Sequence, residues 1–298
     1  MRTIPQRIIA VALLLGALAP NAHAAEQKLR VVASFSVLAD LVRNVGGDRI
    51  ELTTLVGPDG DAHVYSPTPQ DAKTIAASSL VVINGLGFEG WLPRLVESTG
   101  SRATVVEATK GITPRHGEGA NADKIDPHAW QSVANVKIYV SNIRDAFVNA
   151  DAAGSSIYNA NASAYLQQLD ALDREIRSGV AVIPAARRQV VTTHDAFGYF
   201  ADAYGISFVA PQGISTDTEP TAKDIAAIIL LVRAAHVPAV FLEKLGDGRL
   251  IGRIAAETGA KIGGTLFSDS LTGPGGAAPT YIQMMNHNIR ELTRVLVD

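Results

Sequence analysis

Residues 155–180 read SSIYNANASAYLQQLDALDREIRSGV, a stretch without proline in which Ala162, Leu166, Leu169, Leu172, Ile176 and Val180 recur at intervals of three and four. Gln168, Asp170, Asp173 and Arg174 fill the opposite face. That period predicts one long amphipathic helix. About 25 residues at the α-helical rise span roughly 37 Å, enough to run the length of two small lobes as a rigid connector that limits hinge opening.

On either side of this helix the chain alternates short β-branched runs with helical stretches. Before it, Val31–Phe35, Glu51–Val56, Leu80–Asn84 and Thr104–Glu107 read as buried strands. After it, Gln189–Thr193, Ile206–Ala210, Ala239–Glu243 and Lys261–Phe267 repeat the pattern, with helices near 197–204, 222–235 and 250–258. Strands alternating with helices predict βαβ units, and therefore an α/β fold of two lobes, each with a roughly four-stranded parallel sheet flanked by helices. The expected organisation is a signal peptide at 1–24, an N-terminal lobe at 25–150, the connecting helix within 151–182 and a C-terminal lobe at 183–298. Thr68 with Pro69 marks the start of a helix over 70–77, and Asp195 is expected to open the helix carrying Phe197, Tyr199 and Phe200.

The first 24 residues have Arg2 and Arg7, an apolar run from Ile8 to Ala19, and Ala22-His23-Ala24 before the expected cleavage point. The apolar run is shorter than the roughly 20 residues a bilayer span needs. The two arginines are not adjacent, so a twin-arginine signal is not indicated. No cysteine occurs in the chain, which excludes a structural disulfide, a thiolate metal site and a lipid-bearing cysteine. The expectation is a protein of the bacterial periplasm, soluble and not lipid-anchored. Removing residues 1–24 takes two of the 26 basic residues and leaves 29 acidic ones, a charge of about −5, so nucleic acid is not an expected partner.

Three histidines sit where such sheets bind ligands, outside the carboxyl ends of strands. His63 lies in GPDGDAHVYSPTP after the second strand; His128 follows Asp126 and Pro127 and precedes Trp130; His194 ends the strand Gln189–Thr193. Each alone can be an ordinary loop histidine. Asp126 reads as a turn former or as an acceptor behind His128 rather than as a ligand. Asp269, at the end of the last strand, supplies a fourth donor, and three nitrogens with one carboxylate suit Zn2+ better than Mn2+ or Fe2+. His23 leaves with the signal peptide, while His116, His236 and His287 read as ordinary, with transient metal collection an alternative for His116.

Two competing readings are weaker. Gly85-Leu86-Gly87-Phe88-Glu89-Gly90 is a GxGxxG between a strand and a helix. It is not on the first strand, and Glu89 would bring negative charge to a bound pyrophosphate. Catalysis has no HExxH, no GxSxG and no cysteine nucleophile to rest on. A zinc hydrolase would keep a coordination position for water, whereas three histidines plus Asp269 close the shell, so no enzyme activity is expected.

At four ordered places the chain resembles the metal-binding substrate-binding proteins of bacterial zinc and manganese ABC transporters: Asp61-Ala62-His63 with Pro67-Thr68-Pro69-Gln70-Asp71; Asp126-Pro127-His128-Ala129-Trp130; Thr193-His194-Asp195-Ala196-Phe197-Gly198-Tyr199-Phe200 with Tyr204-Gly205; and Ser268-Asp269-Ser270-Leu271. The resemblance implies metal held between the lobes by His63, His128, His194 and Asp269, and delivery to a membrane ABC permease with its cytoplasmic ATPase by a monomeric carrier. A periplasmic metallochaperone is a further implied partner. Manganese-selective members carry glutamate where His194 stands, so the imidazole here implies zinc, with a manganese or mixed-specificity carrier as the alternative. The segment before His128 is short and holds only His116, unlike the long histidine-rich loop of many zinc members.

Overall fold

The computed structural model describes residues 28–117 and 121–297. The expected signal peptide and three residues of the 111–124 loop lie outside them. The N-terminal lobe runs β1 (Leu29–Phe35), α1 (Ser36–Gly46), β2 (Ile50–Val56), α2 (Pro69–Ala77), β3 (Leu80–Ile83), α3 (Leu92–Ser98) and β4 (Thr104–Glu107). A two-stranded antiparallel pair follows, β5 (Arg115–His116) with β6 (Ile125–Asp126), and then α4 (Val133–Ala150). The connector is α5 (Ser155–Ala181). Beyond it come β7 (Gln189–Val191), α6 (Gly198–Tyr204), β8 (Ser207–Val209), α7 (Ala222–Ala235), β9 (Ala239–Glu243), α8 (Gly248–Thr258), β10 (Lys261–Leu266) and α9 (Tyr281–Leu296).

Each large sheet has four parallel strands. Their orders are β2-β1-β3-β4 and β10-β9-β7-β8, which is the same order in the two lobes once strands are counted from each lobe's start. In both, the chain leaves the first strand to one side and returns on the other. The crevice between the carboxyl ends of the first and third strands is therefore a topological switch point, where open α/β sheets bind ligands.

Helix α5 is 27 residues long and buries Tyr158, Ala162, Tyr165, Leu169, Leu172, Ile176 and Val180. Tyr165 takes the central place that the apolar period assigns to Leu166, which is only partly buried. Helix α4, absent from the sequence-based expectation, buries Val136, Tyr139, Val140, Ile143 and Phe147 against the same core. Together α1, α4, α5 and α9 form a middle layer whose buried residues join inward-facing side chains of both sheets in one continuous apolar cluster. Truncating a fully buried leucine of this layer, such as Leu169, to alanine costs roughly 2–5 kcal/mol. Separate small clusters cover the outer faces, under α2 and α3 in one lobe and under α7 and α8 in the other.

Two helix starts differ in kind. Thr68 caps α2 with a full capping box, exchanging hydrogen bonds with Asp71. Asp195 does not open α6 as expected. That helix begins at Gly198 after Phe197, with no side-chain cap, because the chain after β7 stays extended beside Gln212 and the Asp195 N–H donates to the Gly213 carbonyl.

Candidate metal centre

The four candidate ligands come from four loops, and the fold brings all four together. One donor atom from each of His63, His128, His194 and Asp269 lies within 4.8 Å of every other. His63 Nε2 is 3.2 Å from His128 Nε2 and 3.4 Å from Asp269 Oδ2. Asp269 Oδ2 is 3.0 Å from His194 Nε2, and its Oδ1 is 3.6 Å from His128 Nε2. Tetrahedral donors around an ion at zinc–nitrogen distances would sit about 3.3 Å apart, close to these spacings. Both carboxylate oxygens face imidazoles, so Asp269 can offer one oxygen or two.

Each loop is held by its own local chemistry. The His63 segment leaves β2 through a tight turn, its backbone N–H donates to Asp61 Oδ1 at 2.9 Å, and Trp91 donates its indole N–H to the Ala62 carbonyl. The His63 ring packs edge-on against Phe88 at 4.7 Å. The His128 turn is fixed by Asp126, which accepts the His128 backbone N–H at 2.9 Å and lies 2.8 Å from its Nδ1. Asn84 donates to the Pro127 carbonyl, and Trp130 covers the ring at 5.2 Å, as a shield against water would. Asp126 therefore occupies the supporting place expected of it.

His194 is held by a residue the sequence reading passed over. Glu243, at the end of β9, accepts the backbone N–H groups of Thr193 and His194 on Oε1 at 2.7 and 2.8 Å, and its Oε2 is 2.7 Å from His194 Nδ1. Its position at the end of the third strand of its lobe, across the switch point from His194, was the available signal. Asp269 sits in a segment stapled to the other lobe: Trp130 and Gln131 both donate to the Ser268 carbonyl, and the Leu271 N–H donates to Ser36 Oγ.

With Nδ1 of His128 and His194 directed to carboxylates, the Nε2 atoms face the shared centre, where loss of any proton they carry leaves a lone pair for a metal, the usual carboxylate–histidine–metal arrangement. Burial disfavours the imidazolium of His194, but the Glu243 and Asp269 carboxylates together hold its pKa well above the ordinary value. Burial likewise opposes the charged form of Asp269, yet His194 and His128 hold it well below the carboxylate range. Asp126 is also lowered, as hydrogen bonding and charge from His128 outweigh its burial. Asp269 Oδ1 and Oδ2 and His194 Nε2 are buried without a well-formed hydrogen bond among the described residues. A buried anion faced by three imidazole nitrogens is a donor set for a divalent cation.

The remaining histidines among the described residues stay outside this centre. His116 is exposed on β5, His236 ends α7 in a left-handed conformation, and His287 Nε2 meets the Thr265 carbonyl at 2.8 Å. The GxGxxG loop is closed by its own glutamate. Glu89 is buried and accepts the Asn84 and Gly85 N–H groups and the Ser34 hydroxyl, so a carboxylate already occupies the start of the loop where an anion would have to bind. Gly85 has φ +89, and a Cβ there would lie 2.3 Å from Glu107.

Comparisons agree with this architecture. The family described as zinc-uptake complex component A periplasmic matches residues 31–295. The manganese-binding lipoprotein MntA of Halalkalibacterium halodurans is 38% identical over 261 residues, 88% of this chain and 86% of that protein. The iron-binding protein YfeA of Yersinia pestis is 34% identical over 269 residues, 90% and 86% of the two chains. Among solved structures, the periplasmic zinc-binding protein TroA of Treponema pallidum matches with a TM-score of 0.86 at 29% identity, over 91% of this chain and all of that one.

Proposed function

The chain belongs to the periplasmic zinc-uptake component A family, the metal-binding receptors of ABC transporters, and from that membership we propose that it captures Zn2+ through His63, His128, His194 and Asp269 and hands it to a permease and its ATPase. The observation that carries the reading is the convergence of three imidazole nitrogens on the buried Asp269 carboxylate, two of the imidazoles being backed by carboxylates of their own. Nitrogen-rich ligation favours zinc over manganese. We place the ligands on the ends of two lobes, residues 25–150 and 183–298, with 151–182 as the link between them.

One observation favours a second reading, a manganese, iron or mixed-specificity carrier. Asp269 can present both oxygens, which would raise the donor count to five and relax the preference for tetrahedral zinc, and relatives are named for manganese and iron. Competition of metal-free protein with a chelator, titrated with Zn2+ and separately with Mn2+, decides between them. Tighter Mn2+ binding overturns the zinc assignment.

Catalysis is the weaker reading, because the proposed donors fill the coordination sphere that a hydrolytic water would need. Residues 1–24 serve as an export signal in this reading. Although MntA is named a lipoprotein, this sequence contains no cysteine to carry a thioether-linked lipid, so we propose a carrier free in the periplasm. A monomer loaded directly or through a metallochaperone completes the proposal.

A further inference from the structure

The ligand-bearing segments are not equally fastened. Those of His128, His194 and Asp269 are held by buried groups and are buried as whole residues, whereas His63, its ring as buried as that of His194, is the one whose residue as a whole is only partly buried. Within its own lobe the segment is held by the Trp91–Ala62 bond and the Phe88 ring, and its tie to the other lobe is Asp61, two residues before His63, which divides its carboxylate between the lobes. Oδ1 accepts the His63 backbone N–H at 2.9 Å. Oδ2 accepts the hydroxyl of Thr216, in the C-terminal lobe between β8 and α7, at 2.7 Å. Two flanking ties are the Asp59 N–H on the Leu271 carbonyl at 3.0 Å and an exposed Lys244–Asp59 ion pair at 3.4 Å, the latter of small worth.

Beside this bond lies a cavity of about 220 Å³ whose walls include Asp61, Thr216, His194 and Glu243. Swinging the lobes apart would disrupt the apolar layer that α1, α4, α5 and α9 share with both sheets. Lifting residues 57–66 breaks the Trp91–Ala62 hydrogen bond, the His63–Phe88 ring contact and the packing of Ala62 and Tyr65, but leaves that shared layer intact. The segment is therefore the lower-cost opening of the two.

We propose that the Asp61–Thr216 hydrogen bond is a strap that sets the rate at which the captured ion leaves, Asp61 acting as a positioning residue that holds His63 to the opposite lobe. Breaking it frees the His63 segment and opens the donor set toward the adjoining cavity. The inference rests on His63 being a ligand, as proposed above.

The test uses the full chain loaded with one equivalent of Zn2+ and mixed rapidly with excess colorimetric chelator. Thr216→Val keeps the shape and removes the hydroxyl. It is expected to release zinc about tenfold faster, because a hydrogen bond to a charged group is lost and such losses fall mainly on dissociation. Association stays within about twofold, the Tm of the metal-free protein does not move, and Thr216→Ser restores slow release. In an Asp61→Ala background Thr216→Val adds nothing, since the partner is already gone.

Release at the unaltered rate from Thr216→Val, or equally fast release from Thr216→Ser, overturns the strap. If His63→Ala binds zinc as tightly as the unaltered chain, the ligand reading itself fails and the strap falls with it.

Discussion

Each lobe sets a buried glutamate at or just after the end of its third strand, and the two lobes put it to different ends. In the N-terminal lobe, Glu89 follows the third strand and accepts the N–H groups of Asn84 and Gly85, with the Ser34 hydroxyl reaching it from the first strand. In the C-terminal lobe, Glu243 ends the third strand and accepts the N–H groups of Thr193 and His194, which follow the first strand. Both carboxylates satisfy strand-end amides at a switch point, where unpaired donors would otherwise be buried. The difference is the first-strand side chain each one meets. A serine leaves the carboxylate bonded to backbone and hydroxyl alone, while an imidazole makes the carboxylate the support of a proposed metal ligand.

The comparison breaks most visibly at the ligands themselves. Replacing His194 or Asp269 with alanine should weaken Zn2+ binding by about a thousandfold, roughly 4 kcal/mol, as read by chelator competition, since closed donor sets lose most of their affinity with one ligand. An affinity within tenfold of the unaltered chain would remove that residue from the site.

The glutamates give the sharper contrast. Glu243→Gln should cost about 10–100-fold in zinc affinity, because the acceptor behind a ligating histidine is lost. Glu89→Gln should leave zinc affinity alone and lower stability by about 1–3 kcal/mol in urea unfolding of the metal-free protein, since charge-assisted bonds to buried amides are weakened. Equal losses of zinc affinity from the two substitutions would refute the division of roles.

Proton release follows from the same asymmetry. The metal-free His194 has a pKa held well above the ordinary 6.5 by Glu243 and Asp269, so near neutral pH it carries a proton that Zn2+ must displace. Calorimetry in buffers of different ionisation enthalpy should register release of about one proton at pH 7. Zinc affinity should fall with decreasing pH from above 6.5, not only below it. No buffer dependence would mean that His194 is neutral before binding.

The smallest effect lies at the base of the connector. Arg49 holds Asp151 by two hydrogen bonds of 2.7 and 3.0 Å and lowers its pKa to about 2. A lowered carboxylate contributes stability above its unfolded value near 3.8 and loses it as pH falls toward 2. Arg49→Ala should cost about 1 kcal/mol at neutral pH and flatten the acid limb of the stability curve between pH 4 and 2, with zinc affinity unaltered.

Much of the fold was legible because buried parallel strands and an amphipathic connector carry strong periodic signals. All eight strands of the two large sheets, and α5, appear where those signals lie. Helix α4 carries the same signal, Val136, Tyr139, Val140, Ile143 and Phe147 recurring at three and four with Lys137, Ser141 and Arg144 on another face, although the sequence-based expectation did not include it. The start of α6 was misplaced because Asp195 looks like a cap, while the backbone there is engaged in pairing with the neighbouring loop. Glu243 was visible as the end of an expected strand, but a glutamate there gains its role only from the amides of the strand beside it, which the fold supplies.

The sequence by itself determined which side chains could ligate a cation, and the four-part motif pattern determined the class of receptor, since both are properties of residue type and order. Tertiary structure alone decided that both Asp269 oxygens face imidazoles, that Glu243 rather than another acid supports His194, and that Asp61 ties His63 across the lobes to Thr216. Those relations depend on distances between loops up to 155 residues apart, which the packing of the two sheets on their shared helical layer fixes and local pattern does not encode.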